Sequence, residues 1–313
     1  MKKITKIYLM LLSVVSFNVI VPLSTVLANE DTTVEASQES GFAGDFIVTP
    51  EYVSEKIGDE NTIFIDSRGP EAAGGGHVKG AIALTWQQLA DMADKNPGDE
   101  GWGHLPDSET LSTTLGELGL DPEKEIIIYS VANEGWGDDG RILWALKAAG
   151  YKNLKMVDGG FKALENAGIE MDKEEVKLDP VEVKVESIDR ANTIDTKELT
   201  ETIADYKIID TREQNEYDGA TLYGEAKGGH LPGAINIPYT ALFTEDGFLK
   251  SNSELEALFE EQGLTKEDAI VTYCTGGIRS AYMQLILEML GYSKVKNYEG
   301  SYYNWAAINE VEK

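Results

Sequence analysis

The sequence predicts an α/β protein of two tandem domains, each a mostly parallel sheet flanked by helices. Three observations carry this. Four sequence blocks recur in the same order in two halves of the chain. In each half, short buried-strand patterns alternate with helical ones, which is the signature of parallel sheets with crossover helices. Asp66, Ser130, Asp210 and Cys274 all fall at the carboxyl ends of these strands, where such sheets place their functional groups.

The first repeated block is Thr62-Ile63-Phe64-Ile65-Asp66-Ser67-Arg68 against Tyr206-Lys207-Ile208-Ile209-Asp210-Thr211-Arg212. Both are short apolar runs bounded by polar residues, as expected of buried strands. The second is Gly76-His77-Val78-Lys79-Gly80-Ala81-Ile82 against Gly229-His230-Leu231-Pro232-Gly233-Ala234-Ile235. The third pairs the strand ending at Tyr129-Ser130 with the one ending at Tyr273-Cys274. A helical pattern then runs to Gly150-Tyr151 and to Gly291-Tyr292. Each half closes with a short strand, a glycine at Gly159 or Gly300, and a final helix.

The start of the chain stands outside this repeat. Lys2, Lys3 and Lys6 precede an apolar run from Ile7 to Leu23, and Val26-Leu27-Ala28 offers a cleavage site, so residues 1–28 read as an export signal. An uncleaved anchor is the competing reading, because the run approaches the ~20 residues of a spanning helix. No later segment is apolar enough to span a bilayer, and the mature chain is expected outside the cytoplasm. Cleavage would leave 285 of the 313 residues, enough for two ordinary domains. Residues 29–45, acidic and without an apolar period, read as a mobile leader. The first domain is expected over 46–171 and the second over 193–313. Between them, 172–192 is charged and contains Pro180, and reads as a linker.

The chain carries 55 acidic against 27 basic residues, a formal charge of −28, and loss of the three signal lysines takes it to −31. Such a surface excludes nucleic acid and anionic membrane as partners, since both need a basic footprint. One cysteine makes no internal disulfide. A lone thiol outside the cytoplasm is exposed to oxidants, so its presence asks for a reason beyond packing.

The neighbours of Cys274 supply one. Cys274-Thr275-Gly276-Gly277-Ile278-Arg279 lies between a strand and a helix. The glycines let successive backbone N–H groups converge on one spot, the helix start adds positive potential, and Arg279 adds a full charge. All three favour the thiolate, so the Cys274 thiol is expected below the pKa of a free one. A buried packing cysteine would need none of them.

On these residues the chain resembles the rhodanese family, specifically the tandem-domain thiosulfate and 3-mercaptopyruvate sulfurtransferases. The resemblance spans about Phe46 to Trp305 and includes the Asp-x-Arg strand ends, the stretch Gly229 to Pro238, and the six-residue loop opened by Cys274. It implies that the second domain is catalytic. The cysteine would take the outer sulfur of a small anionic donor as a persulfide and pass it to a thiophilic acceptor such as cyanide or a thiol. No cofactor is expected. With three histidines, one cysteine and no ligand spacing, neither is a metal site.

The first domain departs from the family pattern. Ser130 stands in the cysteine's place, and Val131 to Gly140 forms a longer acidic loop, so this domain reads as a non-catalytic partner that helps close the cleft. Two joined homologous domains already make a pseudo-dimer, so a monomer is expected. Arg212 and Lys227 are candidates to bind the donor beside Thr275, Gly276, Gly277, Ile278 and Arg279. Arg212 could equally pair with Asp210 or Glu216 to hold the loop, and Lys227 could simply be solvated. Glu216 stands where the tandem enzymes commonly carry a further arginine. His77 and His230 share a repeated position, which favours a structural role for both. Trp86, Trp102, Trp136 and Trp144 cluster in the first domain, with core packing as the default and the cleft between the domains as the alternative place for some of them.

Thiosulfate is favoured as donor, because a dianion needs a cation such as Arg279 near the sulfur, although the small Thr275-Gly276-Gly277 loop also suits 3-mercaptopyruvate. A non-enzymatic persulfide carrier or redox-sensing thiol would show the same loop. A cysteine phosphatase is disfavoured, because its loop resembles Cys-x5-Arg, whereas here the arginine comes one residue earlier.

Overall fold

The duplication is visible in the strand order. The computed structural model describes residues 41–313, so the export signal expected over 1–28 and most of the expected leader lie outside the described residues. The first half contributes β1 (Ile47–Val48), β2 (Thr62–Asp66), β3 (His77–Val78), β4 (Ile82–Ala83), β5 (Glu125–Tyr129), β6 (Leu154–Val157) and β7 (Met171–Asp172). The second contributes β8 (Thr193–Ile194), β9 (Lys207–Asp210), β10 (Ile235–Asn236), β11 (Ile270–Tyr273) and β12 (Val295–Tyr298). One sheet runs β1-β6-β5-β2-β4 and the other β8-β12-β11-β9-β10, the same path traced twice.

Every pairing in the two large sheets is parallel, and β3 with β7 forms a small antiparallel pair. Parallel strands bury both faces, which is why their sequences are apolar runs rather than alternations. Ile63 to Asp66, Ile126 to Tyr129 and Ile270 to Tyr273 are buried throughout. Register repeats as well: Asp66 lies opposite Tyr129, and Asp210 opposite Tyr273.

The two halves share one core. The helix Asp138–Ala148 of the first packs against the helix Ile278–Met289 of the second, and a single buried cluster includes Ile142, Leu143 and Leu146 together with Met283, Ile286 and Leu287. Gly140 makes the approach possible, since a Cβ there would lie 2.5 Å from Cδ2 of Tyr282 and 2.9 Å from its Cα. Lys147 and Glu288 close the far end of the pair at 2.6 Å.

Two connecting segments are anchored. Phe42, within the expected mobile leader, is buried in the shared core, and Asn252 binds the Ala43 N–H at 2.7 Å and its carbonyl at 2.8 Å. Burial of that one aromatic ring ties down the end of an otherwise polar segment. Residues 173–192 carry no helix or strand and pack as an extended strap. Val181 donates to the Gly116 carbonyl at 3.0 Å, and Val185 is buried. Among the described residues no helix is long and apolar enough to cross a membrane.

Candidate active site

Cys274 follows the last residue of β11 and is 1% exposed. Gly277 adopts φ +88° and caps the helix Ile278–Met289; a Cβ there would stand 2.8 Å from the Glu299 carbonyl, so only glycine fits. This turn aims the Gly277 N–H at Sγ, 3.1 Å away, with the Ser280 hydroxyl at 3.7 Å. A second loop backs the first: the Tyr302 backbone N–H donates to the Cys274 carbonyl and that of Tyr303 to the Thr275 carbonyl, both at 3.0 Å. The Cys274 N–H in turn donates to Ser301 Oγ at 3.2 Å. Burial pushes the thiol up, but the Arg279 guanidinium and hydrogen bonds from Ser280 and Gly276 outweigh it and hold the thiol below its ordinary value.

The charge of Arg279 is shared. Its Nη1 donates to Glu216 Oε2 at 2.7 Å, and its Nη2 to Glu216 Oε1 at 2.8 Å and to Thr275 Oγ1 at 2.9 Å. Thr275 passes a hydrogen bond on to Glu216 Oε1 at 2.9 Å. Glu216 and Arg279 are both buried, so this bidentate pair is locked into the wall of the site. Burial raises the Glu216 carboxyl, and Arg279 more than reverses that, holding it below the usual range. Glu216, set aside in the sequence as a departure from a family pattern, is thus the partner that fixes the loop's arginine.

The wall facing the sulfur is aromatic. Trp86, Trp102 and Trp136 from the first half and Tyr223 and Tyr303 from the second line the space over Cys274, with Thr275, Gly276, Ile278 and Arg279 at its base. Trp102 stands edge-on to Tyr303 with centroids 5.3 Å apart, and Trp136 edge-on to Tyr223 at 5.7 Å. A Cβ on Gly276 would come 3.1 Å from the Trp102 ring, so the loop's glycine admits this ring from the other half. Three of the four tryptophans thus line the space over the cysteine, and Trp86 is at the same time buried in the shared core. Their concentration in the half without a cysteine was the available signal. Trp144 packs wholly inside, 4.5 Å from the buried Arg141 guanidinium.

Arg212 and Lys227 are held elsewhere. Arg212 is fully buried, bound to Asp210 and to the Gly229 carbonyl, with its guanidinium 3.8 Å from the Tyr302 ring. Arg68 repeats the arrangement in the half that has no cysteine: it binds Asp66 and the Gly76 carbonyl and lies 3.3 Å from the Phe161 ring. A staple present in both halves holds strand ends together. Lys227 donates to the Asn309 carbonyl at 2.6 Å and tethers the carboxyl-terminal segment. His77 and His230 also act alike, each using Nδ1 on a nearby backbone carbonyl, of Ala73 at 3.0 Å and of Tyr217 at 3.1 Å. Among the described residues no cluster of three or more His, Cys, Asp or Glu side chains is arranged to hold a metal ion.

In the first half, Ser130 is buried at the end of β5, and its carbonyl is backed by the Phe161 N–H at 2.7 Å, as Cys274 is by Tyr302. The chain then makes a 3₁₀ turn over Ala132–Glu134 before Gly137, at φ +75°, caps the helix. No loop N–H is turned on the Ser130 hydroxyl as the Gly277 N–H is on Sγ.

With this geometry in view, the similarities to known proteins are specific. The family model for the Rhodanese-like domain matches twice, over residues 49–167 and 195–308. The thiosulfate sulfurtransferase of Pseudomonas aeruginosa is 27% identical over 268 residues, covering 83% of this chain and 93% of that one. The sulfur carrier protein TtuD of Thermus thermophilus is 30% identical over 246 residues, covering 74% and 83%. The crystal structure of SseA from Escherichia coli, a 3-mercaptopyruvate sulfurtransferase, superposes with a TM-score of 0.72 at 25% identity, over 82% of this chain and 98% of that one. Two sheets with one strand path, a cysteine loop in one half only and two matches to one family model lead to the same conclusion: the chain belongs to the rhodanese family of sulfurtransferases, with two copies of the domain in tandem.

Proposed function

We propose that the protein is an exported sulfurtransferase in which Cys274 carries sulfane sulfur as a persulfide between a small donor and a thiophilic acceptor. The observation that carries this reading is the Gly277 N–H 3.1 Å from Sγ in a loop where Arg279 keeps the thiol depressed. With thiosulfate, the thiolate attacks the outer sulfur and the donor's S–S bond breaks. Its electron pair leaves with sulfite, and a new S–S bond forms on Cys274. Backbone N–H groups and the helix start hold the negative persulfide as they hold the thiolate. A nucleophilic acceptor such as cyanide then takes the outer sulfur, and the electron pair returns to Sγ.

Thiosulfate and 3-mercaptopyruvate are the donors that the resemblance and the relatives' names support. Thiosulfate, the more highly charged, depends on Arg279, whose charge is tempered by Glu216. The name of the Thermus relative supports a second reading, a carrier that loads once and hands its sulfur to a protein. The burial of Cys274 beneath the aromatic wall favours small acceptors instead.

Intact mass after thiosulfate treatment tests the central step. The expected result is a gain of one sulfur atom that is lost on adding cyanide and absent in Cys274→Ser. No gain with either donor would overturn the reading. Catalytic release of thiocyanate separates an enzyme from a carrier, which would stop after one equivalent.

A further inference from the structure

The wall over Cys274 combines two properties that an inorganic dianion does not need. It is built from five aromatic rings around a free volume of about 140 Å³, room for one compact organic group. Its charges also lean negative. Arg279 is the one cation among the lining residues, and both its Nη atoms are bound to Glu216. Beside the wall sits Glu225, 7% exposed, which accepts the Tyr223 N–H at 2.9 Å with one oxygen while the other makes no hydrogen bond. The Tyr303 hydroxyl donates to the Tyr223 carbonyl at 2.9 Å, so the backbone of Tyr223 is held by Glu225 on one side and by Tyr303 on the other. Burial above all pushes Tyr303 up to about 12, and Glu225, the Cys274 thiolate and Glu216 add to it in the same sense. A net charge of −28 adds a field in the same sense.

Aromatic faces backed by a carboxylate bind alkylated ammonium groups through cation–π attraction. Trp136 and Tyr223, 51% and 39% exposed and edge-on to one another, place two such rings at the rim, one from each half of the molecule. We infer that the aromatic mouth over Cys274 selects, as sulfur acceptor, a small thiol bearing an alkylated ammonium head. The inference rests on the persulfide reading given above. In the step, the acceptor thiol gives its proton to the outer sulfur of the negative persulfide on Sγ, and the resulting thiolate attacks that sulfur. The S–S bond of the persulfide breaks, its electron pair returns to Sγ, and the acceptor leaves as R–S–SH. The ammonium offsets the charge of the resulting thiolate, so the acceptor reacts in an acidic mouth as a zwitterion.

The test compares three thiols on the sulfur-loaded full chain: thiocholine, its uncharged isostere 3,3-dimethylbutane-1-thiol, and anionic 3-mercaptopropionate, with discharge rates expressed per thiolate. Thiocholine should exceed the isostere by about five- to thirtyfold, with the anionic thiol slowest. Trp136→Leu, at an exposed position, and Glu225→Gln should each shrink the thiocholine-to-isostere ratio. Equal rates, or an anionic thiol ahead, would overturn the inference. A binding measurement on the unloaded protein needs no turnover: choline should perturb tryptophan fluorescence at concentrations where 3,3-dimethylbutan-1-ol does not, and no difference also counts against it. If Cys274 takes no sulfur, the persulfide reading fails and the acceptor role falls with it, whatever choline does. If it loads normally and shows no cation preference, only the inference fails.

Discussion

At the end of the central strand the first half carries Ser130 and the second Cys274. Two residues into the following helix they carry Asp139 and Arg279. Much else around these positions is the same: strand path, register, the Asp–Arg staple, and the backing hydrogen bond to the carbonyl of the serine or cysteine. The two halves therefore separate what the fold needs from what the chemistry needs. A short loop with its glycine cap three residues after the cysteine, and a cation in the helix's first turn, belong to the chemistry. The staple arginines belong to the fold. Asp139, buried where the second half has its arginine, is pushed up to about 7 by burial above all, with Asp138 adding to it, while a hydrogen bond from Gly140 opposes.

The largest expected effect comes from trying to exchange these roles. Cys274→Ser should abolish sulfur loading, and adding Ser130→Cys in that background should not restore it, because the longer loop aims no N–H at position 130. A sulfur adduct on the double variant, read by intact mass, would break the comparison. Next in size is Arg279→Ala. It leaves Glu216 buried without its partner, at a cost of about 3–5 kcal/mol, and the pH midpoint of Cys274 alkylation should rise. Adding Glu216→Gln should recover most of the stability but not the midpoint. An unmoved midpoint in both variants would mean that Arg279 holds the loop without supporting the thiolate.

Asp139 should act in the opposite sense on stability. Its folded pKa lies above the unfolded one, so the folded state holds the proton more tightly. Its stabilising effect is complete below about pH 4 and is lost as pH rises through about 7. Asp139→Asn should remove that part of the pH dependence and gain on the order of 1–3 kcal/mol at pH 8, measured by denaturant titration at pH 5 and pH 8. The same slope in the variant would assign the dependence to other groups. The smallest effect concerns the contact between halves. Gly140→Ala forces a methyl group against Tyr282 and should destabilise by about 1–2 kcal/mol, where an exposed helical glycine would gain from the same change. A raised melting temperature would show that the helices have room to part.

The fold was legible because parallel strands are buried on both faces and announce themselves as apolar runs, and because each run occurs twice. The cysteine loop was legible for a related reason: its chemistry is written in consecutive residues, Cys274 to Arg279. What could not be read is what the chain brings together from afar. Glu216 and Arg279 stand 63 residues apart, and nothing local pairs them. Trp102 reaches Gly276 only because the two helices dock. The role of Arg212 lay between these cases: Arg68, at the same place in a half without a cysteine, already argued for a staple. Phe42 was hidden by composition, one ring in a polar leader.

The shared core has one more consequence, for how such a molecule can change over generations. With Gly140 seated against Tyr282, and Trp86, Trp102 and Trp136 reaching across to the other half's cysteine, the half with the serine has no cysteine loop of its own to keep but is not free of its neighbour. Its own strand end can drift in sequence. The rings it lends across the cleft cannot drift without reshaping the space over its neighbour's cysteine, so that space can change through the copy that has no cysteine while the cysteine loop stays fixed.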